Sequence, residues 1–456
     1  MSRIFGTDGV RGVANTDLTP ELAFAIGRAG ATVLAHTSDR HKAVVVGRDT
    51  RLSGTMLESA IVAGVTSVGR DALSIGIVPT PAVAAVTVRT GAAAGIMISA
   101  SHNPVQDNGI KFFGPDGFKL SDAMENEIES LVGSTDLPRP TGIDIGVARL
   151  ALNLGKHYYD ELYAGAADLS GLNVVVDAAN GSAYAMAPYA LKKLGATVHE
   201  INCENDGSRI NVDCGATDLR PLRARVAELR AAGASRVVGV AFDGDADRAM
   251  FVDEEANALT GDHIMFVLGL DLRSRGELRG NAIVGTVMSN VGLERALKNH
   301  GIDLLRAPVG DRYVLEQMRS GGYVLGGEQS GHIINLRRNT TGDGPMTAIA
   351  LFSVMVNSGK TLHELTRELV VYPQVLVNVR TARKDVLQQP GIRSAIEEAH
   401  AALTGKGRLL IRPSGTEPLI RVMVEGENQG SIERLAGDLA RQIERAATLL
   451  PLRAEP

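Results

Sequence analysis

The feature of this sequence that most limits its fold is a regular alternation of short β-branched runs with longer segments of helical periodicity. The runs AVVVG (43–47), LNVVVD (172–177) and RVVGVAF (236–242) are separated by helical patterns such as 55–70 and 183–194. Strand–helix–strand alternation builds parallel or mixed sheets that are covered by helices on both faces. We therefore expect an α/β fold in which the loops at the carboxyl ends of the strands hold the chemistry.

A chain of 456 residues is too long to fold around one core. Changes in local composition along the chain predict four domains. A polar, Pro-rich stretch at 133–142 ends the first domain, and the acidic strand at 249–255 ends the second. A new strand within 370–379 opens a last segment that reads strand, helix, strand, strand, helix. The predicted domains are 1–155, 156–256, 257–368 and 369–456. We expect mixed sheets in the first three and a smaller α+β fold in the last.

The composition excludes several classes of function. A net charge of −5 argues against a general nucleic-acid-binding surface, which would be basic. The two cysteines, Cys203 and Cys214, are too few for a disulfide framework and form no CxxC metal pair. The N-terminus lacks the apolar core of a signal peptide, and Pro79 and Pro81 interrupt the most apolar window. We expect a cytoplasmic protein that binds neither nucleic acid nor membrane.

Polar, Gly-rich loops interrupt this scaffold in all four predicted domains. They are FGTDGVRG (5–12), SASHNP (99–104), FDGDADR (242–248), GGEQSGH (326–332) and RPSGTEP (412–418). In the first of them we expect a turn at Arg11, because Gly12 follows it. The fifth offers a guanidinium, two hydroxyls and Gly-backed amides, which suit a phosphate. The RPSGTEP loop is equally compatible with an ordinary β-turn. The sequence of the GGEQSGH loop is common in loops of many kinds.

The loop FDGDADR places three carboxylates, Asp243, Asp245 and Asp247, at every second position between two predicted strands. Their mutual repulsion is relieved by a hard divalent cation, which prefers oxygen ligands. A calcium-binding EF-hand is an alternative, but it requires glycine where Arg248 stands and helices where strands are predicted. A solvated acidic loop is a second alternative. We favour Mg²⁺, because three carboxylates leave coordination positions open for a phosphoryl oxygen.

The loop SASHNP follows an apolar run and admits three interpretations. A Ser–His–Asp triad is one, although triads assemble from distant positions and not from neighbours in a turn. A structural turn with an incidental histidine is the second. In the third, a serine is a covalent nucleophile or phosphoryl carrier whose phosphate is neutralised by the cation of the Asp loop.

Taken together, the loops resemble those of the α-D-phosphohexomutases in content and in order. The similarity extends from Ile4 to about Val424 and includes two further segments, GRDTRLSG (47–54) and APVGDRYV (307–314). It implies an active-site cleft surrounded by the α/β domains and sugar phosphates as substrates. Seven ordered motifs are far more specific than any one of them.

The resemblance implies a phosphoserine and a metal site. Ser101, directly before His102, matches the phosphoserine of the family. Its phosphate and the three Asp-loop carboxylates would be the ligands of one Mg²⁺. His102 is included in the predicted catalytic set, with the interpretation that it shapes the loop and need not act as a base.

Further residues match the family's catalytic and binding positions. Arg11 and Lys111 match basic residues with acid–base and charge-stabilising roles, and Arg248 matches a residue that contacts the phosphoserine region. Ala246 stands where many members have glycine, which puts only the local loop geometry in doubt. The implied contacts to the sugar and to the non-reacting phosphate are Gly310, Glu328, Ser330, His332, Arg412, Ser414, Gly415 and Thr416.

The implied reaction transfers the phosphoryl group of phosphoserine 101 to a sugar monophosphate. The resulting 1,6-bisphosphate reorients and returns its other phosphoryl group to the serine. The segments FGTDGVRG and GGEQSGH are similar to the branch that interconverts glucosamine 6-phosphate and glucosamine 1-phosphate, on the route to UDP-N-acetylglucosamine. Glucose or glucosamine 1,6-bisphosphate is the implied activator, and a homodimer is the implied assembly.

Three alternatives remain open at the level of sequence. Within the family, the enzyme could be a phosphomannomutase or phosphoglucomutase. A metal-dependent sugar-phosphate phosphohydrolase that uses Ser101 would release free phosphate without needing a bisphosphate. A non-catalytic sugar-phosphate binding protein would need a defect in Ser101 or in the Asp loop, and the sequence has none.

Overall fold

The computed structural model describes residues 4–6, 8–36, 42–414 and 418–449. Its contacts divide the chain into two compact units. The larger unit contains the chain up to Thr286 together with Ile302–Arg367, and the smaller contains Val287–Gly301 and the chain from Glu368 onward. The described residues form four β-sheets, three in the larger unit and one in the smaller. Short 3₁₀ turns lie at Gly142–Asp144, Leu152–Gly155, Gly215–Thr217, Arg279–Asn281 and Lys384–Gln388.

The first sheet has six strands in the order β1-β5-β4-β2-β3-β6. The strands are β1 (Val10–Val13), β2 (Val44–Arg48), β3 (Ala72–Ile77), β4 (Ala94–Ile98), β5 (Asp107–Phe113) and β6 (Ala148–Leu150). The helices are α1 (Pro20–His36), α2 (Gly54–Ser67), α3 (Thr80–Thr90) and α4 (Asp122–Leu131). Strand β2 is parallel to β3 and β4, whereas β5 is antiparallel to β1 and β4. The sheet is therefore mixed.

Glycine residues allow helices α1 and α2 to pack closely against each other in the core of this sheet. A Cβ atom on Gly64 would lie 2.3 Å from the carbonyl oxygen of Phe24, and one on Gly27 would lie 2.7 Å from that of Ile61. Both helices contribute to the same buried cluster as Val46 of β2. The high glycine content of the sequence thus serves helix packing here as well as the loops.

The second sheet has five strands in the order β11-β10-β9-β7-β8. The strands are β7 (Asn173–Asp177), β8 (Thr197–Ile201), β9 (Val237–Phe242), β10 (Ala249–Val252) and β11 (Ala258–Leu259). The associated helices are α5 (Lys156–Tyr163), α6 (Met186–Lys193) and α7 (Arg220–Ala231). Strands β7, β8 and β9 are parallel, and β10 turns back antiparallel to β9. Leu222 and Val226 of α7 pack in the core with Val175 and Val237.

The third sheet has the order β13-β12-β14-β15. The strands are β12 (Ala282–Thr286), β13 (Asp303–Ala307), β14 (Leu325–Gly327) and β15 (Ile333–Asn335). The helices in this part of the chain are α8 (Gly261–Ser274), α9 (Val291–Asn299), α10 (Asp311–Gly321), α11 (Gly344–Ser358) and α12 (Leu362–Thr366). Val314 and Met318 of α10 pack against Val284 of β12. Only the β14–β15 pair is antiparallel within the described sheet.

The fourth sheet is antiparallel and lies in the smaller unit, in the order β16-β18-β17. Its elements are β16 (Gln374–Arg380), α13 (Pro390–Leu403), β17 (Gly407–Pro413), β18 (Leu419–Gly426) and α14 (Gln429–Leu449). Helix α9 belongs to this unit although β12 and β13, on either side of it in the chain, do not. Asn290, which caps α9, exchanges two hydrogen bonds with the backbone of Tyr372 at 2.9 and 3.0 Å.

The predicted fold class is confirmed: three mixed sheets with helices precede a smaller C-terminal α+β region. The predicted turn at Arg11 is wrong, because Arg11 lies in β1 and pairs with Gly109 of β5. That strand is defined by a partner about one hundred residues away, which local sequence cannot reveal. The division into four domains at 155, 256 and 368 stays a prediction. None of the helices in the described ranges is long and apolar enough to cross a membrane.

The first turn of helix α8 contains a buried histidine that makes folding sensitive to acid. The Nδ1 atom of His263 accepts a hydrogen bond from the Thr260 N–H at 3.1 Å, and the residue is 7% exposed. Burial lowers the pKa of His263 from 6.5 to about 4, although the nearby Asp253 acts in the opposite direction. The folded state therefore favours the neutral imidazole, whose Nδ1 is free to cap the helix.

We expect this histidine to reduce stability as the pH falls from 6.5 toward 4. Protonation is easier in the unfolded chain, so the loss should reach roughly 2 kcal/mol by pH 5. Replacing His263 with Gln introduces a side chain that is usual at this position of a capping box and that does not titrate. Urea unfolding of the H263Q variant at pH 7 and pH 5 should show a smaller pH-dependent loss than the wild type. Equal losses in the two proteins would contradict this role.

Candidate active site

The predicted site residues follow strands of the three mixed sheets at their carboxyl ends. Ser101 comes shortly after β4, Asp243 directly after β9, Gly310 after β13 and Glu328 directly after β14. Loops in these positions are where α/β sheets bind their ligands. The structure brings these loops together within the larger unit, as the contacts below show.

Ser101 faces the Asp loop across a gap of 142 residues in sequence. Its Oγ donates a hydrogen bond to Asp243 Oδ2 at 2.6 Å and lies 3.2 Å from the Nδ1 of His102. Its backbone has a φ of 53°, in the left-handed region that non-glycine residues rarely adopt, and only 2% of the residue is exposed. The structure places Ser101 Oγ within hydrogen-bond distance of the Asp loop, as the phosphoserine interpretation requires, and that interpretation stays a prediction.

The three Asp-loop carboxylates form a compact, buried oxygen cluster. Asp243, Asp245 and Asp247 each offer an oxygen within 4.8 Å of the others, and none is more than 5% exposed. The Oδ1 atoms of Asp245 and Asp247 are buried without a hydrogen-bond partner among the residues that the structure describes. Such unpaired anionic oxygens are costly unless a cation binds them. The all-oxygen donor set fits Mg²⁺.

The structure resolves the alternatives raised for the Asp loop. Strands β9 and β10 flank it where an EF-hand would have helices. Burial also excludes a solvated acidic loop. Burial, and then the charges of Asp247 and Asp245, raise the pKa of Asp243 well above its usual range. This is the electrostatic cost that a bound cation would remove.

Lys111 lies in β5 and points its ammonium group at the same cluster. Its Nζ is 2.8 Å from Asp245 Oδ2 and 3.5 Å from Asp247 Oδ2, and the residue is 2% exposed. Burial alone would lower the pKa of Lys111, but the two carboxylates outweigh burial and raise it. The Thr80 hydroxyl also donates to Asp245 Oδ2 at 2.6 Å. Lys111 therefore adds a fixed positive charge beside the Asp-loop oxygens.

Arg11 belongs to a second ionic network in the same region. Its Nη2 is 2.8 Å from Asp8 Oδ2, and its Nη1 donates to Asn103 Oδ1 in the Ser101 loop at 3.3 Å. Lys119 bridges Asp8, at 2.9 Å, and Asp311. Burial opposes the ionisation of Asp8, but Lys119, Lys111 and Arg11 lower its pKa. Asp8 therefore stays ionised, and the network is in position to orient polar groups of a ligand.

Sequence reasoning missed Lys119 and Asp311 as site residues. Asp311 lies within the segment APVGDRYV, where only Gly310 was selected, whereas no motif pointed to Lys119. A cavity of about 710 Å³ is lined in part by Asp8, Lys111 and Lys119. Its volume is typical of a small-molecule pocket.

Arg248 and Ala246 complete the geometry of the Asp loop. The Arg248 backbone N–H donates to Asp243 Oδ1 at 3.2 Å, and its Nε lies 4.0 Å from Asp247 Oδ1. Burial opposes the charge of Arg248, but Asp243 and Asp247 raise its pKa. Ala246 has a φ of 56°, in the left-handed region that glycine adopts more readily than alanine. We estimate a local strain of about 1 kcal/mol for alanine here.

The GGEQSGH loop supplies the remaining predicted contacts of the larger unit. Glu328 Oε1 accepts a hydrogen bond from the Gly310 N–H at 3.1 Å, and Ser330 Oγ donates to Glu328 Oε2 at 3.4 Å. His332 Nε2 lies 3.8 Å from Asp247 Oδ2 and 3.7 Å from Asp311 Oδ2. Within the described ranges, both ring nitrogens of His332 are buried without a hydrogen-bond partner. The loop thus brings polar groups to the edge of the Asp cluster.

The remaining predicted residues belong to the C-terminal unit. Arg412 in β17 pairs across the sheet with Arg421 in β18, and Ser414 follows it in a buried position. Burial, and then the charge of Arg421, lower the pKa of Arg412. Two facing guanidinium groups favour a bound anion. Gly415 and Thr416 lie outside the described residues.

Comparison with known families covers nearly the whole chain. Models described as phosphoglucomutase/phosphomannomutase alpha/beta/alpha domains I, II and III match residues 2–139, 156–257 and 260–372. The C-terminal domain of the same description matches residues 376–442. A curated phosphoglucosamine mutase from Caldanaerobacter subterraneus is 52% identical, over 98% of this chain and 99% of its own.

Solved structures show the same fold at low sequence identity. A phosphoglucomutase/phosphomannomutase family protein from Burkholderia thailandensis has a TM-score of 0.82 and 24% identity, covering 98% of each chain. An N-acetylphosphoglucosamine mutase from Aspergillus fumigatus, solved with GlcNAc-6P and magnesium, has a TM-score of 0.66 and 18% identity. That likeness covers 97% of this chain and 96% of the fungal one.

Proposed function

The chain belongs to the phosphoglucomutase/phosphomannomutase family, and we propose that it interconverts glucosamine 6-phosphate and glucosamine 1-phosphate. The high identity to curated phosphoglucosamine mutases over nearly the full length supports this substrate. The observation that best supports the chemistry is the 2.6 Å hydrogen bond between Ser101 Oγ and Asp243, in a loop of three buried carboxylates. The product would enter the route to UDP-N-acetylglucosamine.

The proposed reaction is two phosphoryl transfers through Ser101. In the first, the bond from phosphorus to Ser101 Oγ breaks while a bond forms from phosphorus to a sugar hydroxyl oxygen. The hydroxyl loses its proton and Oγ gains one, so a glucosamine 1,6-bisphosphate and a free serine result. After the bisphosphate turns around, Oγ accepts its other phosphoryl group and the sugar oxygen regains a proton. Phosphoryl transfer of this kind depends mainly on alignment and charge stabilisation.

Asp243, Asp245 and Asp247, with the phosphate on Ser101, would hold one Mg²⁺. When bound, the ion supplies positive charge that neutralises the transferring phosphoryl group. Lys111 and Arg248 add fixed positive charge at the edge of the cluster, at the distances given above. Following the family assignment, Arg11 and Lys111 take acid–base and charge-stabilising roles at the reacting sugar hydroxyl. His102 lies against Ser101 Oγ and shapes its surroundings.

We assign binding of sugar hydroxyl groups and binding of a phosphate group to two further sets of residues, one in each unit. Glu328, Ser330 and His332, with the Gly310 backbone, present polar atoms near the Asp cluster for sugar hydroxyl groups. In the C-terminal unit, Arg412 and its neighbours would bind a phosphate group, supported by the facing Arg421. We also propose a homodimer, which light scattering of the purified protein tests.

A coupled assay tests the substrate assignment. With Mg²⁺ and glucose 1,6-bisphosphate present, we expect glucosamine phosphate to be turned over at least about tenfold faster than glucose or mannose phosphates. Equal rates would point to a phosphomannomutase or phosphoglucomutase. Release of inorganic phosphate as the main product, without a requirement for bisphosphate, would instead indicate a phosphohydrolase.

A further inference from the structure

The guanidinium of Arg51 is the most completely enclosed cation in the described part of the larger unit. Arg51 is 1% exposed and lies shortly after β2, in the segment GRDTRLSG. Its Nε is 3.0 Å from Asp49 Oδ2, and its own N–H donates to Asp49 Oδ1 at 2.9 Å. No role had been assigned to it from the sequence.

The other four donor hydrogens of Arg51 are all directed at one loop. Nη1 donates to the carbonyl oxygens of Pro104, at 2.5 Å, and Asp107, at 2.9 Å. Nη2 donates to the carbonyl oxygens of Ser101, at 3.0 Å, and Asn103, at 2.8 Å. A guanidinium has five N–H donors, so this loop and Asp49 use the complete set. The loop from 101 to 107 is wrapped around a single charged group.

We propose that Arg51 is a positioning residue for phosphoryl transfer, which holds Ser101 Oγ in line with the Asp loop by gathering the loop's carbonyl groups. This inference rests on the proposed mutase function. The Ser101 carbonyl oxygen accepts from Arg51 Nη2 while the Ser101 hydroxyl donates to Asp243, so the same residue is held through its backbone by Arg51 and faces the Asp loop with its side chain. Within the described residues, the hydrogen bonds that Arg51 donates go to Asp49 and to the 101–107 loop and not to the Asp cluster, so it would act through the loop.

The backbone of Ser101 gives independent support. A φ of 53° costs about 1 kcal/mol or more in a non-glycine residue and persists only where the surroundings impose it. Ser101 O accepts a second hydrogen bond, from Asn211 Nδ2 at 2.9 Å, while its N–H donates to Ser99 Oγ at 2.9 Å. Ser99 in turn donates to Asp49 Oδ2 at 2.6 Å. Arg51 and Asp49 thus hold the strained residue from both of its backbone groups.

Lysine at position 51 would preserve the positive charge but could not form the same set of hydrogen bonds. Its ammonium group has three donors on one atom, so it cannot reach two pairs of carbonyl groups and Asp49 at once. We expect the R51K variant to fold but to hold Ser101 loosely. Misalignment of about 1 Å in a reacting group can reduce a rate by roughly 100-fold.

The test compares R51K with R48K and N211A. Arg48 pairs with Glu58 at 2.8 Å and donates to the Asp49 backbone carbonyl at 3.3 Å, but among the described residues it donates no hydrogen bond to the 101–107 loop, so R48K is the matched control. We measure the rate at which glucose 1,6-bisphosphate phosphorylates Ser101, by intact mass, together with kcat and KM for glucosamine phosphate. The expected result is a roughly 100-fold loss of the phosphorylation rate and of kcat in R51K, with KM within about threefold. R48K should stay within about threefold of the wild type.

Asn211→Ala keeps the proposal testable if R51K does not fold, since it removes one neutral donor to the Ser101 carbonyl. We expect a smaller loss, roughly tenfold, again in the phosphorylation rate and not in KM. A folded R51K with wild-type phosphorylation kinetics would overturn the proposal, as would an N211A variant with unchanged rates where R51K is unfolded. Failure of the wild type itself to turn over glucosamine phosphate would instead count against the proposed function.

Discussion

Replacing Ser101 with alanine is expected to reduce mutase turnover by more than roughly 10⁴-fold, the scale on which removal of a covalent nucleophile acts. The variant lacks the oxygen that would accept and return the phosphoryl group. Its fold should be preserved, because the Arg51 and Asn211 contacts are to the Ser101 backbone and not to its side chain. The measurement is a coupled assay together with intact mass and peptide mapping.

The matched control is Ser99→Ala. Ser99 lies two residues earlier, and its hydroxyl bonds to Asp49 and to the Ser101 N–H, but not to the Asp loop in the contacts described. We expect this variant to acquire the mass of one phosphate group on Ser101 and to keep measurable turnover, with a reduced rate. A fully active S101A variant, or a phosphate mapped to another residue in the wild type, would rule out the mechanism.

The parts of the fold that depend on local sequence could be predicted from it. The run 236–242 was expected to be a strand because of its β-branched residues, and β9 covers Val237–Phe242. The Asp loop follows directly, so its place at the carboxyl end of a strand could also be inferred. The spacing of the three aspartates in the sequence is therefore enough to predict that their carboxylates lie next to one another.

Features that depend on distant contacts could not be predicted in the same way. Strand β1 exists because Val10 and Arg11 pair with β5, so its sequence alone resembled a turn. Lys119 joins Asp8 to Asp311, which lie 111 and 192 residues away from Lys119 in sequence, and no local pattern marks such a bridge. Arg51 is similar, because the four loop carbonyl groups that accept its hydrogen bonds come together only in the folded structure. Long-range ion pairs and buried guanidinium groups are set by tertiary structure, which overrides local propensity.

A second substitution with a large expected effect on mutase activity lies in the Asp loop. Replacing Asp243 with asparagine removes one of three carboxylates whose oxygens lie within 4.8 Å of one another. We expect the variant to lose mutase activity by roughly 10³-fold or more, because the positive charge that neutralises the phosphoryl group is no longer held in place. Chelation of divalent metal should have a comparable effect on the wild type, reversible by added Mg²⁺.

Thermal unfolding with and without Mg²⁺ separates metal binding from catalysis. A ligand present at about 100 times its Kd stabilises the folded state by about 2.7 kcal/mol, so Mg²⁺ should raise the Tm of the wild type. D243N should show no such rise. Without metal, it should be at least as stable as the wild type, because one source of repulsion is gone. The exposed Glu255, paired with Arg230 at 2.8 Å, provides the control E255Q, which removes one negative charge elsewhere. If D243N and the wild type respond equally to Mg²⁺, or if E255Q loses the response as well, the Asp loop is not the metal site.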